Sequence, residues 1–155
     1  MPDFKITVTG DKELQAKLRN PEFLRGAVRQ FLTKSIILIE GNIKKETPVD
    51  TGRLRASITH KVEPFRAIVG TNLAYSPHVE FGTRSHWPPL AALQPWARRH
   101  GFPAGRQGAF LVARAIARKG TRARRMFQKG VEESRGQIMQ MWRTVGGQIA
   151  VRWKA

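Results

Sequence analysis

The chain has 155 residues, a length that predicts one domain with a core of useful size. Hydrophobic residues make up 41% of it, as in ordinary globular proteins, but 28 Lys and Arg against 11 Asp and Glu give a formal net charge of +17. Because cysteine is absent, disulfides and thiolate metal sites are excluded. The longest apolar run, at residues 36–39, is too short to span a bilayer, and no signal-peptide pattern opens the chain. We expect a soluble protein made in a cytoplasm.

The positive charge is concentrated in the second half of the chain. Residues 1–80 contain 13 basic and 9 acidic side chains, for a net charge of +4, and residues 81–155 contain 15 and 2, for +13. No acidic residue occurs between Phe81 and Val131. This asymmetry predicts an acidic partner for the second half, either a nucleic acid or an acidic protein surface.

The first elements predicted are a strand and a long helix. Residues 4–9 alternate apolar and polar side chains, as a half-buried strand does. Apolar residues then recur at three- and four-residue steps over about residues 21–46, after Asn20 as N-cap and Pro21 at the first helical position. Pro48 ends this pattern. It predicts a long amphipathic helix with one wide buried face.

Extended segments are predicted next. Residues 55–63 and 66–71 alternate apolar and polar side chains on the two sides of a turn around Pro64, which indicates an antiparallel pair of strands. Residues 72–83 indicate a further extended segment, and Pro77 would place it at a sheet edge, where a missing N–H is tolerated.

The rest of the chain predicts helices. One covers about residues 90–100 and is closed by Gly101, a second covers residues 106–120, and the last begins between residues 121 and 125. The fold class is therefore α+β: a small antiparallel β-sheet packed on one long amphipathic helix, with a helical C-terminal half.

We expect residues 1–155 to form a single domain in three parts. Residues 1–89 make a helix-plus-sheet core, residues 90–120 an inserted helical segment, and residues 121–155 the C-terminal helix.

The stretch TPVDTGRL, from residue 47 to residue 54, contains the Asp-Thr-Gly triplet of aspartic proteases. That chemistry needs two carboxylates that share a proton, so each chain of a dimer would have to supply one triplet. The polar residues around the triplet fit a structural turn better than a protease active site. Pro48 fixes its own φ, and the side chains of Asp50 and Thr51 are expected to bond nearby backbone N–H groups. Gly52 would supply a positive φ.

The histidines and carboxylates do not predict a metal site. His78 and Glu80 would share one face of a strand and His86 follows, but a third ligand with convincing spacing is missing. We assign no catalytic, cofactor-binding or metal-binding residue. A non-enzymatic protein without a cofactor is expected.

The stretch RKGTRARR, at residues 118–125, is the strongest cue to a charged partner, and we call it the basic tract. Its basic residues are Arg118, Lys119, Arg122, Arg124 and Arg125. Such arginines bind phosphates, but they also suit docking onto an acidic protein. Since no nucleic-acid-binding motif is visible, sequence-specific DNA reading is not expected. Near the C-terminus, Trp153 ends an apolar stripe that predicts an interface.

Two segments and a later motif, taken together, resemble those of a known protein family. TPVDTGRLRASI at residues 47–58 and VGTNLAYSPHVEFGTRSHWPP at residues 69–89 follow the long helix, and ARRMF at residues 123–127 precedes the last one. In this order they resemble the neck or tail-completion family of tailed bacteriophages, whose members are often labelled tail components. The resemblance covers about residues 20–150. Family members commonly run almost directly from the loop that corresponds to Gly82 and Thr83 to the last helix, whereas residues 90–119 are inserted here.

The resemblance implies a virion protein of the head–tail junction or the tail. It would form or join a homo-oligomeric ring around the DNA exit channel, between the head-closure ring and the tail-terminator or tail-tube proteins. Contact with packaged DNA would be non-specific, and no membrane is involved. The second interpretation is a sequence-neutral DNA-binding protein, and the third is a single-triplet aspartic protease.

The EFGT segment that starts at Glu80 is expected to join a sheet edge to a loop at a subunit contact. Phe81 should be buried there, and Gly82 should permit the bend. Because Glu80 is an isolated acid in a basic region, we expect it to pair with an arginine, for which Arg53 and Arg55 are the candidates. The full set of expected contact residues is Arg53, Arg55, Glu80, Phe81, Gly82, Thr83 and Trp153.

Overall fold

A computed structural model describes residues 21–154. The predicted strand at residues 4–9 and the N-cap at Asn20 lie outside the described residues. The elements are helices α1 (Pro21–Glu46) and α2 (Arg53–Ser57), strands β1 (Thr59–Val62) and β2 (Ala67–Gly70), and helices α3 (Ser76–Phe81), α4 (Leu90–Arg99), α5 (Arg106–Lys119) and α6 (Met126–Lys154). The predicted α+β class is confirmed.

The two long helices, α1 and α6, pack side by side and run in opposite directions. Near the end of α1, the fully buried Ile43 meets Gly130 near the start of α6. Towards the other end, Phe31 and Trp142 meet edge to face, with ring centroids 5.0 Å apart. A Cβ at Gly130 would lie 2.6 Å from the backbone nitrogen of Ile43, so this close approach of the helices needs glycine.

The sheet is a two-stranded antiparallel hairpin in which Thr59 is paired with Gly70 and Val62 with Ala67. It packs against α1, as predicted, and the imidazole of His60 contacts the carboxylate of Glu40 on that helix.

The strands are shorter than the predicted ranges of 55–63 and 66–71. Residues 53–57 form the short helix α2, which starts from the amide N–H of Ala56 bonded to the carbonyl of Gly52 at 2.9 Å. A helical turn brings Leu54 and Ile58, four residues apart, to the same side, and both are buried.

The prediction of an extended edge segment at residues 72–83 is wrong, because residues 76–81 form helix α3. Pro77 lies in the first helical turn, where its missing N–H would have no intrahelical partner in any case. Ser76 and Glu80, four residues apart, are the two buried side chains of this helix. The burial therefore follows a helical period.

Helices α4 and α5 pack on each other and form a helical hairpin between Arg84 and Gly120, which we call the arm. Its interior consists of small buried side chains: Ala97, Ala109 and Ala113. Trp87 meets Phe110 edge to face, with ring centroids 5.6 Å apart. Both helices have the predicted extents, and Gly101 and Gly120 take positive φ at their C-terminal ends.

Candidate assembly surface

The turn after α1 is anchored on both sides by hydrogen bonds. Thr47 is buried, its hydroxyl donates to the carbonyl of Ile43 at 2.6 Å, and its own carbonyl accepts from the guanidinium of Arg55 at 2.9 Å. Gly52 has a φ of 79°, so the predicted positive φ is confirmed. A left-handed conformation here favours glycine over residues with a Cβ.

Asp50 does not make the backbone bonds that were predicted for it and Thr51. Its carboxylate instead accepts two hydrogen bonds from Arg99 at the end of α4, one from Nε at 2.8 Å and one from Nη2 at 2.5 Å. The hydrogen bond from Arg99 lowers the pKa of Asp50, and the charges of Arg99 and His100 act in the same direction. The Asp-Thr-Gly turn is thus tied to the arm.

Glu80 is buried and caps the last helix. Its carboxylate oxygens accept hydrogen bonds from the backbone N–H groups of Phe127 at 3.0 Å and Gln128 at 3.2 Å, in the first turn of α6. A negative charge at a helix N-terminus satisfies orphan N–H groups and interacts favourably with the helix dipole. The predicted pairing with Arg53 or Arg55 is therefore wrong, since the partner is backbone.

A close backbone contact joins the EFGT segment to the basic tract. Thr83 and Thr121 exchange two backbone hydrogen bonds of 3.2 Å, and the amide of Arg124 donates to the carbonyl of Val79 at 2.9 Å. A Cβ at Gly82 would overlap the carbonyl oxygen of Thr121, and the strand-like contact leaves no room for one. We call this contact the clasp. It brings together two segments that the resemblance singled out separately.

The side chains of the basic tract point outward from the clasp. All of its basic residues are exposed: Arg118, Lys119, Arg122, Arg124 and Arg125. None of them forms an ion pair with a carboxylate in the part of the chain that the structure describes. Their positive charge is consequently available to a partner.

The remaining predicted contact residues have different surroundings. Phe81 is 77% exposed, so the prediction that it is buried is wrong for the single chain. Gly82 takes a φ of 73° and permits the bend, as predicted. Arg53 lies beside the open face of the hairpin, and the side chain of Trp153 lies outside the described residues.

A pocket of about 500 Å³ lies between the Asp-Thr-Gly turn, α3 and α4. Its lining includes Val49, Asp50, Leu54, Tyr75, Val79, Trp96, His100 and Arg124. Trp96 stacks on His100 with ring centroids 4.0 Å apart. Sequence reasoning missed this pocket, because it depends on how α4 packs against residues that are distant in sequence.

The three residues weighed as metal ligands are not brought together. His78 is exposed, Glu80 is occupied by the N-terminus of α6, and the ring of His86 lies 3.0 Å from the carbonyl of Arg84. Within the described part of the chain, no group of three or more histidine, aspartate or glutamate side chains could hold a metal ion. None of the described helices is long and apolar enough to cross a membrane.

Comparison with protein families gives a match over part of the chain. Residues 12–82 match the family described as "Bacteriophage HK97-gp10, putative tail-component". This part of the chain is similar to a phage tail component. The match to this tail-component family includes α1, the Asp-Thr-Gly turn, the hairpin and α3, and it confirms the predicted resemblance. Comparisons with curated proteins and with solved structures gave no match.

Proposed function

We propose that the protein is a non-enzymatic structural component of the phage head–tail junction. It forms or joins a homo-oligomeric ring around the DNA exit channel and links the head-closure ring to the tail-terminator or tail-tube proteins. The observation that carries this proposal is the tail-component match over residues 12–82. The finer assignment to the neck follows the ordered motifs that continue beyond the match to Phe127.

The balance of buried and exposed apolar side chains supports a role in an assembly. Among the described residues the buried apolar side chains are Ile36, Ile43, Leu54, Ile58, Ala97, Ala109, Ala113 and Met126. The exposed large ones are more numerous and include Phe65, Phe81, Trp87, Trp96, Phe110 and Trp142. Exposed aromatic patches of this kind mark surfaces that a partner covers.

The surroundings of Asp50 support a structural turn over protease chemistry. An aspartic protease dyad works because two carboxylates share one proton. Here the guanidinium of Arg99 holds the Asp50 carboxylate and lowers its pKa, which favours the ionised form. A carboxylate held in this way stabilises the turn and the arm.

The unpaired basic tract supports an acidic neighbour in the assembly, and it also suits non-specific contact with DNA. The role of this charge is tested by changing it while keeping the fold. In the phage that encodes the protein, exchange of Arg122, Arg124 and Arg125 for Glu should leave the chain folded but block joining. Filled heads and free tails should accumulate, as electron microscopy of lysates would detect. Exchange of the same residues for Lys keeps the charge and should preserve joining.

Normal joining by the triple Glu variant would contradict the proposed role of the basic tract. The sequence-neutral DNA-binding alternative is tested on the purified protein with an arbitrary duplex by fluorescence anisotropy. Binding that weakens by more than about tenfold between 50 and 200 mM salt, and is lost in the triple Glu variant, would favour this alternative.

A further inference from the structure

The hairpin leaves backbone hydrogen-bonding groups unused along the outer edge of β2. In an antiparallel pair, residues that exchange both backbone hydrogen bonds alternate with residues whose N–H and C=O groups point outward. The N–H of Glu63 donates to the carbonyl of Arg66 at 2.7 Å. Alternation from this bonded pair leaves Ala67 and Val69 with outward-pointing groups, while Ile68 is bonded to β1. Among the residues that the structure describes, the outward groups of Ala67 and Val69 have no hydrogen-bond partner, so β2 can accept a further strand.

The two edges of the hairpin differ in charge. Strand β1 contains His60 and Lys61, and Lys61 forms an ion pair with Glu63 at 3.1 Å. Charged side chains, lysine above all, discourage other strands from pairing with an edge. Strand β2 has the sequence AIVG and contains no charged residue. The edge of β2 is therefore the unprotected one, and native proteins cover such an edge.

The sequence supplies a candidate strand in residues 4–9, outside the described residues. Its apolar and polar residues alternate, so a strand here has one apolar face, made of Phe4, Ile6 and Val8. In the hairpin, His60 is paired with Val69 and contacts Glu40 of α1, so their face of the sheet is the one that packs on the helix. A third strand beside β2 would extend this face with its apolar side chains and keep its polar ones on the outer face.

The course of the chain brings this segment to β2 in the antiparallel direction. Helix α2 is bonded to the turn after α1, whereas His60 of β1 lies against Glu40, so β1 runs back along α1 and the hairpin turn points towards Pro21. Glu40 lies about 28 Å from Pro21 along the helix, and residues 10–20 can span up to about 36 Å. A strand that arrives from this end runs in the direction of β1, which is antiparallel to β2.

We propose that residues 4–9 pair with β2 of the same chain and make the hairpin a three-stranded sheet. Three strands with an apolar face against a helix form a more stable sheet than two. The new outer edge contains Lys5 and follows Pro2, and both residue types discourage further pairing. The segment therefore closes the sheet against edge-to-edge contact between copies of the chain. This pairing goes beyond the proposed function and does not depend on it.

Hydrogen exchange of the full chain, followed by nuclear magnetic resonance, tests the pairing amide by amide. The amides of Ala67 and Val69 should exchange about a hundredfold more slowly than unbonded amides. Ile6→Lys places a charge on the apolar face and should abolish this protection, while the amide of Ile68, which is bonded to β1, stays protected. Thr7→Lys is the matched control, because it places the same charge on the outer face and should retain the protection. Fast exchange of Ala67 and Val69 in the wild-type chain would overturn the proposal.

Because the chain has no cysteine, introduced cysteine pairs show which strand the segment joins and whether it belongs to the same chain. Ile68→Cys is combined in turn with each outer-face change: Lys5→Cys, Thr7→Cys and Thr9→Cys. In at least one pair a disulfide should form within one chain, about tenfold more than in Ile6→Cys with Ile68→Cys, whose side chains would lie on opposite faces. A non-reducing gel separates the products. Disulfides between two chains would overturn the pairing within one chain, and no disulfide in any pair would overturn the pairing with β2.

Discussion

Replacing Glu80 by Ala should destabilise the protein more than any other single carboxylate change in the described residues. Glu80 is 6% exposed, and its carboxylate accepts hydrogen bonds from two backbone N–H groups in the first turn of α6. Hydrogen bonds to charged groups contribute about 1.5–3 kcal/mol each in net terms, and loss of an N-terminal cap costs about 0.5–2 kcal/mol. Because Gln128 is exposed, water can reach one N–H after the change. We therefore expect a loss of about 2–3 kcal/mol.

The measurement is urea unfolding followed by far-ultraviolet circular dichroism at one fixed protein concentration. Glu80→Gln retains one acceptor oxygen and should lose only about 1 kcal/mol. The control is Glu132→Ala, because Glu132 lies exposed on α6 and, within the described residues, accepts a hydrogen bond only from the side chain of Gln128. It should stay within about 0.5 kcal/mol of wild type. If Glu80→Ala also stays within that range, the carboxylate does not cap α6.

Three further predictions concern the backbone and the turn. Gly130→Ala should lower the free energy of unfolding by about 1–3 kcal/mol, because the added methyl group overpacks the contact between α6 and α1. Gly136→Ala has open space around its Cβ and should raise the free energy of unfolding by up to about 1 kcal/mol. Equal unfolding free energies for the two variants would contradict the close helix contact. Gly52→Val has no neighbour to clash with, so its cost should be backbone strain alone, about 1–2 kcal/mol in urea unfolding. The lowered pKa of Asp50 means that its pairing with Arg99 stabilises above the ordinary carboxyl pKa and is lost as the pH falls through the lowered value. The difference in thermal stability between wild type and Asp50→Asn should therefore disappear in acid, and a difference that grows in acid would contradict the pairing.

The long helices could be predicted because each repeats its apolar positions over many turns. Helix α1 has the predicted range of 21–46, and α5 ends beside the predicted glycine stop. Helices α2 and α3 could not be predicted, because they are only five and six residues long: α2 contains one buried residue, Leu54, and α3 contains a single buried pair four residues apart. Such a pair fits a strand's alternation as well as a helical turn.

In the candidate site, features set by neighbouring residues could be predicted from the sequence, and contacts between distant residues could not. The positive φ of Gly52 follows from its neighbours in the turn, and so it was predicted. The partner of Glu80 lies 47 residues away, beyond the reach of any local pattern. One signal was present: Arg124 and Arg125 precede α6 where a Ser, Thr, Asp or Asn cap would be expected, so the cap had to come from elsewhere.

The clasp allows the chain between Thr83 and Thr121 to change in length. Thr83 and Thr121 face each other as an antiparallel pair, so the whole arm leaves the chain and returns to it within about 5.5 Å. An insertion whose ends meet can be lengthened, shortened or exchanged without moving the helices on either side. Related chains could therefore carry different insertions between the same flanking helices. An engineered chain could have a tight turn or a fluorescent domain in place of the arm.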